Sequence, residues 1–424
     1  MNARAPKGTA DMLPSTARVW ERLNRIAQDL FARYGYEPIY SPAFEHTEVF
    51  TRGIGEATDI VSKEMYTFED KGGRSITLRP EGTAGIVRAV LEHSLAANGQ
   101  TAKLYYAGPM FRYERPQKGR QRQFWQIGAE CLGATDPTAD AEVIIMLWRF
   151  FEACGIPAVS MRMLVNSMGD ERCRPAYRDK VAAYIRVHAD ELCDECNRRA
   201  DTNPLRAFDC KNPGCVPVMA GAPLLRDELC DECREHYSAV KGYLDEMRIP
   251  YVEDPSLVRG LDYYTRTVFE VQADAGLGSQ NAIGGGGRYD RLMQEYGGPA
   301  TPSLGFALGF ERTMLAMEAA GALSDAEQLV EVFVARVDDS VAGVAFSALS
   351  ALRDVGVSAD ADQQGRSLKA QFKQADRRGA SLVVVVGPDE VAAGEVTVRD
   401  MRTKDEVRVA ISGVAERVSA MLGR

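Results

Sequence analysis

The sequence predicts an α+β protein: a mostly antiparallel sheet flanked by helices, an inserted helical subdomain, and a separate α/β domain at the C-terminal end. Three observations carry this expectation. Short apolar alternations recur between long connections with few β-α-β units, which favours antiparallel pairing. Residues from about 170 to 250 interrupt that pattern with charge, cysteine and helical periodicity. Past a change of character near Gly321 to Gln328, strand and helix patterns alternate over about 95 residues. The expected units are a core over 1–325 that contains the 170–250 insertion, and a terminal domain over 329–424.

In chain order, Trp20, Leu23, Ile26, Ala27 and Leu30 form one stripe of a helix from about Ser15 to Tyr34, and Gly35 stops it. Two prolines hold Tyr36 to Pro42 extended. Alternation predicts strands at Ser75–Leu78, Leu104–Ala107, Phe124–Ile127 and Thr267–Val271. In the terminal domain the expected order is strand Val330–Ala335, helices near Ser340–Asp354 and Leu368–Arg378, strand Leu382–Val386, and a helix ending near Leu422.

Composition narrows the function. The chain of 424 residues is 45% hydrophobic and has a formal net charge of -9, which argues against indiscriminate binding to nucleic acid. Local patches must carry any such contact, and two stand out, at residues 112–122 and 366–378, with five Arg or Lys each against a single acid. No apolar run reaches the ~20 residues of a membrane span, and a cytoplasmic location is expected. Nine cysteines in such a chain do not suggest a disulfide framework. ELCDEC occurs twice, ending at Cys196 and Cys233, with CKNPGC between. Paired Cys-x-x-Cys units suit tetrahedral zinc, with Cys193, Cys196, Cys230 and Cys233 as the expected ligands; reduced thiols in a small subdomain are the alternative.

The segment Phe111 to Glu130, FRYERPQKGRQRQFWQIGAE, concentrates the chemistry. Strand periodicity puts Arg112 and Glu114 on one face of a first run, and Gln126, Gly128 and Glu130 on one face of a second. Arg115, Lys118, Arg120 and Arg122 surround Gly119 between them, and guanidinium forks match phosphate oxygens. RPEGT at Arg79–Thr83 sets a carboxylate and a hydroxyl beside Gly82. VRGLDYYT places Arg259, Tyr263 and Tyr264 ahead of a strand, and IGGGGRYD offers four glycines for close backbone approach to a ligand. A Walker-type phosphate loop and the His-Glu-x-x-His motif are both absent from the sequence.

The ordered set KGTADMLP, RPEGT, FRYERPQKGRQRQF, QIGAE, LVRGLDYYTRTVFEV, GGGGRYD and GFALGFERTML closely resembles bacterial histidyl-tRNA synthetases, of the class II aminoacyl-tRNA synthetases. The resemblance covers nearly the whole chain, RSLKAQFKQADRRGA in the last domain included. It implies a class II antiparallel catalytic sheet, an insertion, a C-terminal α/β anticodon-binding domain, and a homodimer formed through Tyr36 to Phe50. The substrates it implies are L-histidine, ATP with Mg2+, and histidine tRNA.

By this resemblance Glu81 and Thr83 receive the histidine ammonium group, while Gln126 and Arg112 sit near its carboxylate and the α-phosphate. Glu130 and Tyr264 bracket the imidazole, and Tyr263 and Tyr289 complete the wall. Arg259 is the implied catalytic arginine, Arg312 binds the ATP tail, and Glu114 contacts the adenine region. Arg115 and Gln117 match positions associated with the extra 5′ guanosine of histidine tRNA. Family members differ in the cysteines around NPLRAFDCK, so zinc rests on spacing alone. A paralogous regulatory subunit of ATP phosphoribosyltransferase shares the core as a histidine-sensing module but typically lacks the last domain, whereas Arg112, Arg259, Arg312 and that domain are all present here. A general RNA-binding protein would explain the basic patches but not RPEGT or the tyrosine pair.

Overall fold

The computed structural model describes residues 3–55, 58–274, 281–323 and 330–424. The chain divides into two compact units, Met1–Leu323 and Ser324–Arg424. The expected change of character near 321–328 lies partly outside the described residues.

The first unit is built on an eight-stranded sheet among the described residues. In chain order its strands are β1 (Glu37–Pro38), β5 (Ala102–Phe111), β6 (Gln123–Leu132), β7 (Met161–Ser167), β8 (Val252–Glu253), β9 (Thr265–Ala273), β10 (Ala282–Arg288) and β11 (Ser303–Gly309), while β2 (Phe44–His46), β3 (Tyr66–Glu69) and β4 (Ser75–Leu78) form a small sheet of their own. The spatial order is β1-β5-β6-β11-β10-β9-β7-β8; only the edge pairs β1–β5 and β7–β8 are parallel. Antiparallel pairing of the six central strands follows from their alternation, which serves a sheet with two different faces. Ile127, Ala129 and Cys131 of β6 bury on one face beneath the helices Pro14–Arg33 and Pro137–Ala153, with Trp20, Phe31, Trp148 and Phe150. The alternate residues Gln126, Gly128 and Glu130 face the other way, as period two demands.

Two elements differ from expectation. Strand β5 ends at Phe111, so Arg112 and Glu114 belong to the connection rather than to a strand face; the backbone leaves the ladder where Arg112 N–H pairs with Arg122 and Tyr113 N–H with Glu64. The region 170–250 does supply helices between β7 and β8, but it is not set apart. Tyr237, Val240 and Leu244 of helix Asp231–Glu246 join the main core, and Tyr177, Val181 and Cys196 share a cluster with Val268 and Leu292.

The glycine run forms β10 itself. A Cβ on Gly286 would stand 1.9 Å from the Gly305 carbonyl, so the neighbouring strand leaves no room for a side chain. Beyond the run, Arg288 is fully buried and pairs with Asp140, which also lies 3.2 Å from His236. Burial alone would raise the Asp140 carboxyl, but the His236 contact and the Arg288 charge outweigh it and hold it at about 2.

The second unit has a five-stranded sheet, β13-β12-β14-β15-β16, from β12 (Val332–Arg336), β13 (Ala359–Ala361), β14 (Leu382–Val386), β15 (Glu395–Asp400) and β16 (Glu406–Ala410). Helices Ala342–Asp354 and Val414–Met421 share one core with it, and Leu368–Arg377 packs with Val330 and Phe333 in another. This last helix buries Gln371 and Ala375 and leaves Lys369, Lys373, Arg377 and Arg378 exposed.

Candidate functional site

The polar face of the central sheet is kept bare over its middle strands. Pairing sets Gly305 opposite Glu130, Ala307 opposite Gly128, and Gly309 opposite Gln126; on the far side of β11, Gly285 faces Ala307. These small residues floor a cavity rather than fill it, and Gly284, Gly285, Gly305, Ala307 and Gly309 all line it. Its walls carry Glu81, Thr83, Arg112, Glu114, Gln126, Arg259, Tyr263, Tyr264, Tyr289 and Arg312, so ten residues expected from widely separated motifs meet in one place.

One end of the cavity is a buried network of hydroxyls and carboxylates. Helix Thr83–Glu92 begins in RPEGT, and Glu81 caps it by accepting from the Thr83 and Ala84 N–H groups at 2.7 and 2.9 Å. Burial pushes the Glu81 carboxyl above the usual range, against these two bonds. Thr83 Oγ1 donates to Glu130 at 2.7 Å, Tyr106 Oη lies 3.3 Å from the same oxygen, and Tyr289 donates to the other. Burial raises the Glu130 carboxyl to about 8, against the bonds from Tyr289 and Thr83. Glu130 itself stands just behind the lining: a Cβ on Gly305 would fall on its Oε2. Tyr263 and Tyr264 pack at a tilt with ring centres 4.7 Å apart and Tyr263 meets Tyr289 edge-on at 5.5 Å, so the aromatic wall is continuous.

The other end is cationic. Arg259 pairs with Glu270 at 2.6 Å and lies 6.0 Å from the Tyr264 ring centre. Arg112 donates Nε to the Pro80 carbonyl at 2.8 Å and lies over Phe124 at 5.2 Å. Arg312 is tied to the Ala282 carbonyl at 3.0 Å. Three guanidinium groups line one cavity, and guanidinium forks are suited to phosphate oxygens by charge and shape. Gln126 Oε1 is buried with no hydrogen-bond partner among the described residues, in a position to meet a bound polar group.

The basic connection divides. Arg115 and Gln117 are exposed, as a contact with a large partner requires. Arg120 instead pairs with Glu114 at 2.6 Å, and Arg122 stacks on Tyr113 at 3.9 Å while its N–H bonds the Gly8 carbonyl. KGT near the N-terminus thus braces this loop. Sequence reasoning missed the roles of Tyr106, Phe124, Glu270 and Glu311 here, and it read Arg120 only as part of the basic connection. The last lines the cavity, accepts from Trp125 N–H at 3.1 Å, and is pushed by burial to about 7. Alternation could have found Tyr106; the partners of Arg120 and Arg259 lie too far along the chain to be read from it.

The cysteines do not meet as expected. Cys193 and Cys196 join Cys210 and Cys215, whereas Cys230 and Cys233 join Asp170 and Cys173. The expected set of Cys193, Cys196, Cys230 and Cys233 is therefore split between two clusters. The reason is local: CKNPGC folds back on the first pair, while the second pair opens a helix packed against the turn that follows β7.

Comparison with known proteins agrees with this geometry. A family model described as histidyl-tRNA synthetase matches residues 8–313, and one described as anticodon binding domain matches residues 331–421. The histidine–tRNA ligase of Halothermothrix orenii is 46% identical over 422 residues, covering both chains fully. That of Desulforudis audaxviator is 50% identical over 413 residues, 97% of each chain. The apo crystal structure of histidyl-tRNA synthetase from S. aureus superposes with a TM-score of 0.83 at 37% identity, covering 98% of this chain and 99% of its own.

Proposed function

The chain belongs to the histidyl-tRNA synthetase family, and from that premise we propose how its cavity divides one reaction between its two ends. The activity is that of a histidine–tRNA ligase. Histidine and ATP give histidyl-adenylate and pyrophosphate; the terminal ribose hydroxyl of the tRNA then takes the histidyl group and AMP leaves.

The observation that carries the division is a single cavity with a buried carboxylate, hydroxyl and tyrosine network at one end and three arginines at the other. Glu81 and Thr83 receive the ammonium group. Glu130, with Tyr264, brackets the imidazole, which offers one donor and one acceptor; a pocket that satisfies both rejects isosteres that lack them. Tyr263 and Tyr289 close the wall. Gln126 and Arg112 hold the carboxylate of histidine and the α-phosphate next to each other. Arg259 meets the charge that develops on the α-phosphoryl group, Arg312 takes the ATP tail, and Glu114 faces the adenine side. No side-chain nucleophile is needed, because in-line positioning and charge stabilisation supply the catalysis. Magnesium would arrive with ATP and shield the charge of the pyrophosphate leaving group; Glu270, which pairs with Arg259 and accepts from Gln272, would offer it a hard carboxylate oxygen.

Exposed Arg115 and Gln117 meet the acceptor end of histidine tRNA, since both residue types read base edges through paired hydrogen bonds. The exposed basic face of helix Leu368–Arg377 meets the anticodon arm. A homodimer through Tyr36 to Phe50 would cover Tyr40 and Phe44, which are large, apolar and exposed. Among the described residues no helix is long and apolar enough to cross a membrane, and we place the enzyme in the cytoplasm.

This division of labour has a direct test in a chain ending at Leu323. Its histidine-dependent pyrophosphate exchange should match the full chain, while tRNA charging at low tRNA concentration falls about 100-fold, the scale of losing one of two linked contacts. Equal loss of both activities would contradict separate tasks for the two units.

A further inference from the structure

We propose that the chain holds two structural zinc ions: one bound by Cys193, Cys196, Cys210 and Cys215, the other by Asp170, Cys173, Cys230 and Cys233. In each group four donor atoms lie within 4.8 Å of one another, and all these cysteines are free thiols. The spacings match a tetrahedral ion. Bonds of about 2.3 Å to sulfur place two thiolates roughly 3.8 Å apart, and a carboxylate oxygen at about 2.0 Å lies roughly 3.5 Å from a thiolate. Cys193 and Cys210 sulfurs are 3.9 Å apart. Asp170 Oδ1 lies 3.6 Å from the Cys173 sulfur and 3.7 Å from that of Cys230.

Both groups are constructed alike. In each ELCDEC the first cysteine has an extended backbone just before a helix, at Asp194–Thr202 or Asp231–Glu246, and the second lies in its first turn. That arrangement supplies two sulfurs from a single turn in each group. Each pair then receives two donors from elsewhere in the chain. In the second group the carboxylate is itself held in place: Asp170 takes Arg172 at 3.0 Å and Arg266 at 3.5 Å, and its Oδ1 accepts the Arg172 N–H. Such outer partners orient a metal-binding carboxylate and offset its charge.

The need for metal follows from what the clusters join. The first ties residues 189–219, where 3-10 turns connect the helices Asp194–Thr202 and Cys215–Met219. The second fastens helix Asp231–Glu246 to the turn after β7, where Met168 and Gly169 exchange backbone hydrogen bonds with Arg266 and Arg174 donates to the Tyr264 carbonyl at 2.6 Å. Soft thiolate donors in tetrahedral sets select zinc over magnesium or calcium.

The full-length protein, purified under reducing conditions without added metal, should carry about two equivalents of zinc per chain by metal mass spectrometry. Cys210→Ser and Cys230→Ser should each leave about one, the double variant almost none, and Cys131→Ala, which alters a core thiol, about two. Less than about a tenth of an equivalent in the unaltered protein, or full zinc retention in both single variants, would overturn the assignment. Should the variants precipitate, cobalt titration of the zinc-stripped natural chain decides. Two equivalents with thiolate-to-cobalt charge-transfer absorption support the two sites, and one or none overturns them.

Discussion

Replacing Arg259 by alanine lowers histidine-dependent pyrophosphate exchange by about 1,000-fold or more, the scale set by removing an arginine that faces a phosphoryl transition state. The geometry explains why so much rests on it. Glu270 holds the guanidinium at 2.6 Å, so the charge is held in place before substrate arrives. A charge fixed in advance costs no reorganisation at the moment of reaction, and it acts where charge grows rather than where substrate merely rests. The loss should therefore fall on kcat more than on the KM for histidine. Thermal unfolding close to that of the natural chain would show an intact fold, and near-normal exchange would refute the role.

The second large effect concerns Glu130. Measured above about pH 8, where its carboxyl is ionised, Glu130→Ala should raise the Kd for histidine by about 10- to 150-fold, equivalent to ~1.5–3 kcal/mol for a lost hydrogen bond to a charged group. Part of this loss is indirect, because Thr83 and Tyr289 lose the carboxylate that orients them. The same residue has a pH signature. Its carboxyl is raised by burial to about 8 in the fold against an ordinary value of 4.5, so the folded state holds the proton more tightly than the unfolded chain does. That contribution to stability is complete below about pH 4.5 and is lost as pH rises through about 8. Glu130→Gln has no proton to lose there. Denaturant unfolding of the histidine-free protein should show a decline between these pH values that is weaker in Glu130→Gln; identical slopes, with unchanged histidine affinity in Glu130→Ala, would remove Glu130 from the site.

Much of this site could be read from the chain because its logic is periodic. Gln126, Gly128 and Glu130 alternate with the core residues Ile127, Ala129 and Cys131, and the alternation survives unchanged in β6. Strands at Ser75–Leu78 and Leu382–Val386 have the limits expected from their apolar runs. Where a side-chain pattern is missing, so is the signal. Gly284–Gly287 carry no side chains to alternate, so a central strand looks like a loop, and only the packing against Gly305 shows why glycine is required. The hairpin Glu395–Ala410 was hidden by charged residues at a sheet edge. Cysteine spacing shows pairs but not which pairs meet: Asp170 and Cys173 were outside any motif, and only the fold brings them to Cys230 and Cys233. In the same way the charge of Arg120 suggested a contact with nucleic acid, while its distance from Glu114 reveals a brace within the pocket wall.

The central claim is that one cavity selects histidine at its tyrosine and carboxylate end and activates it at its arginine end. The most direct measurement is ATP–pyrophosphate exchange by the full-length protein with each of the twenty amino acids in turn. Exchange with histidine alone is the predicted result. Comparable exchange with any other amino acid, or none with histidine, would contradict it.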